Sequence, residues 1–76
     1  MKINPKKFSQ LLANEITRMK LAKEFRINDL CEAIDMSRTT LYRLENGVTE
    51  HFVKVLQLCN YLNIDLSKLM KESEEE

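Results

Sequence analysis

The stretch Ile27–Gly47, INDLCEAIDMSRTTLYRLENG, decides how this chain folds. Ile27, Leu30, Cys31 and Ile34 recur at i, i+3, i+4 and i+7, which is one face of a helix running from Ile27 to about Ile34. Ser37 is a strong N-cap for a next helix, Arg38 to about Asn46, and Gly47 suits the left-handed residue that ends it. That helix buries Leu41 and Leu44, with Thr40 at the edge of the stripe.

Only Asp35-Met36-Ser37 joins the two helices. So short a connection cannot stack them antiparallel, and they must cross steeply. The crossing needs a small side chain, supplied by Cys31, and apolar inner faces, supplied by Leu30, Ile34, Met36, Leu41 and Leu44. This is the helix-turn-helix pattern. Its turn residue is commonly a left-handed glycine; Asp35 stands there instead, and Asp enters that region more readily than most residues.

The outward face of the second of these helices carries Arg38, Thr39, Tyr42, Arg43 and Asn46, with no acid among them. Arginine grips guanine edges with two hydrogen bonds and threonine meets the thymine methyl. Tyrosine and asparagine bond to phosphate. A face built only for solvation would mix both signs of charge, although a polar third helix also occurs in small bundles with no such role.

Working outward, Asn4-Pro5 is an N-cap followed by a proline at the first helical position. Phe8, Leu12, Ile16 and Met19 then recur at helical spacing, with Leu11 beside them, so a first helix runs to about Lys23 or Glu24. On the other side, Thr49 is read as the cap of a fourth helix, with Glu50 in its first turn. Its main stripe is Phe52, Val55, Leu56, Cys59 and Leu62, and Val53, Leu58 and Tyr61 lie off it. Asn63 ends this helix, and Asp65 caps a short fifth one carrying Leu66, Leu69 and Met70. The expected fold is all-α: a compact five-helix bundle containing a helix-turn-helix, in one domain over residues 1–71.

A single Gly and a single Pro in 76 residues leave little room for hairpins or long loops. The formal net charge is zero, but its distribution is uneven. All 12 Lys and Arg lie in residues 1–71 with only eight of the 12 acids, an excess of four positive charges. Glu72, Glu74, Glu75 and Glu76 make residues 72–76 an acidic tail, expected to be frayed and solubilising, with competition against DNA for the basic face as the sharper alternative. Cys31 and Cys59 both fall on apolar stripes and are read as small core residues, not a disulfide framework. A zinc site needs about four ligands, and His51 is the one histidine. No metal or cofactor is expected. With no signal-peptide core after Met1–Pro5 and no apolar run of membrane-spanning length, the expected location is cytoplasmic.

The segment Ser37–Gly47, SRTTLYRLENG, closely resembles the recognition-helix segment of the lambda-repressor-like (Cro and xenobiotic-response-element) helix-turn-helix family. Cys59–Leu69, CNYLNIDLSKL, resembles that family's fourth-to-fifth helix junction, and the similarity spans about Ile16 to Met70. The resemblance implies a five-helix fold and a homodimer on a palindromic operator of double-stranded DNA. It places Arg38 and Thr39 at base edges, and Tyr42 and Arg43 at further bases or phosphate. Asn46 would meet phosphate after the helix. Ser37, and Arg26, Ile27 and Asn28 at the start of the second helix, fall on the phosphate-facing side. The family often has a polar side chain where Ile27 stands, so only the Ile27 backbone N–H is available there. The resemblance also pairs Glu45 with a basic residue of the first helix, Lys20 being the best match and Arg18 the alternative.

The function these readings imply is a sequence-specific transcriptional regulator, a repressor, reading the major groove with the third helix. The competing class is an antitoxin or anti-repressor of the same fold, a module whose main act is to bind protein. Off-stripe Val53, Leu58 and Tyr61, with Leu66 and Met70, are the surface for it; Leu58, Tyr61, Leu66 and Met70 are assigned here to a self-dimer. An enzyme is not expected: one histidine, no Gly-rich phosphate loop and no paired carboxylates in a plausible pocket leave nothing to do chemistry.

Overall fold

The computed structural model describes residues 2–75. Five helices follow a two-residue strand β1 (Lys2–Ile3): α1 (Pro5–Leu21), α2 (Ile27–Ala33), α3 (Arg38–Glu45), α4 (Phe52–Leu62) and α5 (Leu66–Glu72). A second short strand, β2 (Glu74–Glu75), closes the chain by pairing antiparallel with β1, Lys2 opposite Glu75 and Ile3 opposite Glu74. Among the described residues the fold is all-α apart from this clasp. α1 packs against α3 and α5, and α2 packs against α3. One core collects Leu12, Ile16, Leu30, Leu41, Leu44 and Leu58, each at most 2% exposed.

Three of the four expected caps are in place. Asn4 accepts from the backbone N–H of Lys6 and Lys7 at 3.1 and 3.3 Å, with Pro5 as the first helical residue. Ser37 Oγ accepts from Thr40 N–H at 3.1 Å, and Asp65 accepts from Lys68 N–H at 3.1 Å. Each satisfies a donor that the helix start leaves without an intrahelical partner.

α1, α2, α3 and α4 share one ending. A left-handed residue follows each: Lys23 (φ 57°), Asp35 (φ 51°), Gly47 (φ 82°) and Asn63 (φ 57°). The residue after it returns its N–H five positions back: Glu24 to Met19, Met36 to Cys31, Val48 to Arg43 and Ile64 to Cys59, all between 2.8 and 2.9 Å. This is the Schellman closure, which satisfies carbonyls that the helix end would otherwise orphan. Glycine serves in one of the four. Lys23 is the one whose residue type gave no hint, and it moves the end of α1 back to Leu21, two or three residues before the expected boundary.

The start of α4 corrects the reading of Thr49. The helix begins at Phe52, and its N-cap position is His51, itself left-handed at φ 55°. Thr49 does not cap because its hydroxyl donates instead to Ser9 Oγ at 2.6 Å, tying the loop to α1. The buried face of α4 is Val55, Leu58, Cys59 and Leu62, while Phe52 is 63% and Leu56 40% exposed. The expected stripe was therefore rotated. At 100° per residue, positions 55, 58, 59 and 62 centre on the core, and 52 and 56 fall at its edge.

Leu58 is 0% exposed, so it cannot belong to a dimer surface. Leu66 is half-buried against the core. Of the two thiols, Cys59 is buried and Cys31 half-buried, so the reading of both as core residues holds for Cys59 alone.

The acidic end also departs from its expectation. α5 continues through Glu72; Ser73 is completely buried, and its carbonyl accepts the Asn4 N–H at 2.8 Å. Residues 72–75 are thus part of the fold; Glu76 lies outside the described residues.

Candidate nucleic-acid interface

α3 is anchored from beneath by Leu41 and Leu44, each 2% exposed. Its eight residues put Arg38, Thr39, Tyr42 and Arg43 on the opposite side, all exposed, with Tyr42 at 66%. The Ser37 cap fixes the start of the helix, so Arg38 and Thr39 project from an ordered first turn. Ser37 Oγ also lies 2.9 Å from Thr40 Oγ1, which occupies that hydroxyl within its own turn.

Two of the outward arginines are held. The Arg38 guanidinium donates to Asn28 Oδ1, bridging the starts of α3 and α2. Arg43 Nη1 donates to Glu50 Oε2 at 3.1 Å. Asn28 is thus a partner of Arg38, a role separate from the phosphate contact expected of it. Glu50 is a site residue that sequence reading placed elsewhere, in the first turn of α4. The signal was available in principle: Gly47 reverses the chain after α3, and a reversal of that length returns an acid toward Arg43.

Arg26 and Asn28 at the start of α2 are exposed, Ile27 is half-buried, and no side chain caps this helix. Asp29 follows in the first turn, an acid that counts against a phosphate there. Asn46 is exposed at the end of α3, but its Nδ2 donates to the Tyr42 carbonyl at 2.7 Å.

Behind this face, the Lys20 ammonium lies 3.2 Å from Glu45 Oε1 and donates to Oε2 at 3.4 Å. The Glu45 side chain is 11% exposed and that of Lys20 41%, so the pair joins α3 to α1 with its carboxylate mostly buried and its ammonium partly in solvent. Arg18, the alternative partner, goes to Glu15 at 2.6 Å and Glu24 at 3.6 Å. That hydrogen bond from Arg18 holds the Glu15 carboxyl below its ordinary range. Burial pushes the Cys31 thiol up, opposed by the nearby Arg38 charge, and pushes the Cys59 thiol up too.

A family model of the Cro/C1-type HTH DNA-binding domain matches residues 15–74, from mid-α1 to the closing strand. The chain belongs to this family. Neither a curated protein nor a solved structure matches it. As a Cro/C1-type domain it is a DNA-binding module, and α2 and α3 are its helix-turn-helix. Among the described residues of this Cro/C1-type domain, no helix is long and apolar enough to cross a membrane.

Proposed function

We propose that this domain is a cytoplasmic transcriptional repressor that reads the major groove of double-stranded DNA with α3. One observation carries the reading: Arg38, Thr39, Tyr42 and Arg43 stand exposed on one side of a helix whose other side is locked into the core. Arg38 and Thr39, in the first turn, are assigned to base edges, and Tyr42 and Arg43 to further bases or phosphate. Ser37, Asn46 and the Arg26-Ile27-Asn28 start of α2 are assigned to the phosphate side; at α2 the attraction comes from Arg26 and must outweigh the repulsion from Asp29. The deciding experiment is selection of bound sites from random duplex DNA, repeated with Arg38→Ala. A consensus sequence that changes with the variant is expected; recovery of no consensus would overturn the reading.

One eight-residue helix reaches only a few base pairs, so specific readout calls for two copies on a palindromic operator. We assign the self-contact to the exposed apolar rim formed by Phe52, Leu56 and Met70, which line one groove with Pro5 and Phe8. Tyr61, 40% exposed, lines a different groove beside Arg18 and Phe25 and is set apart from this contact. The same apolar rim supports the second reading, an antitoxin or anti-repressor whose partner is another protein. Sedimentation equilibrium separates them: a dimer favours the self-contact, and a monomer with and without DNA favours the other.

A further inference from the structure

Glu50 sits in the loop between α3 and α4, and this loop is held at several points. Val48 N–H returns to the Arg43 carbonyl at 2.9 Å. Gly47 is left-handed at φ 82°, and the Thr49 hydroxyl is pinned to Ser9. His51, left-handed at φ 55°, offers its carbonyl to the N–H groups of Lys54 and Val55 at 2.8 and 3.2 Å. A non-glycine residue in that conformation persists where its surroundings over-determine it. The Glu50 carboxylate is therefore delivered to Arg43 by ordered backbone, 3.1 Å from Nη1.

The pair adds little to folding. Its side chains are 57% and 48% exposed, and ion pairs in such settings contribute weakly to stability. Its cost to DNA binding is more direct. A carboxylate beside a phosphate-contacting guanidinium comes within a Debye length, about 8–10 Å, of the phosphate and repels it. A base edge carries no such charge. Arginine has five N–H donors in a fixed fork, so Glu50 can keep one while others face a guanine.

We infer that Glu50 is a selectivity residue: it holds Arg43 so as to disfavour attachment through backbone charge while leaving the guanidinium usable at a base edge. The inference rests on α3 being the DNA-contacting helix. Discrimination comes from a repulsive element that acts on the wrong partner more than on the right one.

The test measures binding of the full chain to two duplexes, the site selected from a random pool and a mixed-sequence duplex of equal length, at two salt concentrations. Glu50→Gln should tighten mixed-sequence binding about two- to fivefold, the range open to an exposed ion pair. It should steepen the salt dependence by up to about 0.9 in log–log slope per bound chain, and narrow the ratio of selected-site to mixed-sequence affinity. In an Arg43→Gln background the same change should do much less. Equal tightening on both duplexes, or the same effect with and without Arg43, would overturn the inference and make Glu50 a plain like charge. If Arg43→Gln changes neither duplex, Arg43 is away from DNA and the inference fails; the reading of α3 itself fails only if Arg38→Ala is silent as well. Thermal melting within a few degrees of the parent confirms that each variant is folded.

Discussion

Lys20 and Glu45, 25 residues apart, meet with the ammonium 3.2 Å from a carboxylate oxygen that solvent scarcely reaches. The contact joins the long first helix to the last turn of α3, and so sets the angle at which the outward face of α3 is presented. Removing the cation alone strands a mostly buried carboxylate. Lys20→Met should therefore destabilise by about 1–3 kcal/mol. Lys20→Met with Glu45→Leu should recover most of that loss. Urea denaturation checks both, and a double variant no better than the single one would show that the pair matters for more than charge compensation.

Lys23 holds a left-handed conformation, φ 57°, that glycine adopts without steric cost. Lys23→Gly should stabilise the chain by about 0.5–1 kcal/mol, the side-chain penalty exceeding the added freedom of the unfolded state. Asp35→Gly should gain less, since Asp tolerates this region better. Chemical denaturation of the two variants side by side is the measurement, and a loss on Lys23→Gly contradicts the account of how α1 ends.

The thiols should differ in reactivity. Burial raises both, which lowers the thiolate fraction at neutral pH, and Cys59 is the more deeply covered. Alkylation should be slow at pH 7 and quicken as pH rises, Cys31 ahead of Cys59, and both should react rapidly once unfolded. Cys59 labelled first in the native state would contradict the packing of α4.

Arg38→Ala should cost about 1–3 kcal/mol per half-site on the selected operator and relax preference at one or two base pairs. Asn46→Ala should weaken operator and unrelated duplexes alike. Because the Asn46 amide already serves the Tyr42 carbonyl, this variant should also lower helix stability slightly, which a thermal melt separates from binding. A panel of single-base operator variants reads out the contrast.

Phe52→Glu places a charge on the apolar rim beside Leu56 and Met70. It should shift a dimer toward monomer in sedimentation equilibrium and weaken operator binding without unfolding the chain, since Phe52 is already 63% exposed. An unchanged dimer would move the self-contact elsewhere.

The helix-turn-helix was legible because its signals are local. Ser37 and Gly47 favour the conformations they adopt, Asp35 tolerates its own better than most residues, and Leu41 and Leu44 stand at a spacing that puts both on one helix face. The start of α4 was not legible, because Thr49 looks like a cap until Ser9, 40 residues earlier, takes its hydroxyl. Lys23 carries no propensity for a left-handed turn; the Glu24-to-Met19 bond imposes it. Leu56 and Leu58 have the same hydropathy, so composition could not say which faced inward, and a rotation of the stripe exchanged them. At the site, the residue types on α3 were readable, but the partners that hold Arg38 and Arg43 lie on other segments and become visible only in three dimensions.

The pairing of residues 2–3 with 74–75 brings the two ends of the described fold side by side. Cross-strand neighbours such as Lys2 and Glu75 have Cα atoms about 5 Å apart, a gap that a linker of a few residues spans. The order of the helices along the chain is then not essential to the architecture. A circular permutant that links residue 75 to residue 2, with a new opening in the α4–α5 connection, should therefore keep the five described helices and the Lys20–Glu45 contact. Conversely, removing residues 73–75 takes hydrogen-bonding partners from residues 2–4, so their loss should be felt at Asn4, the cap of α1.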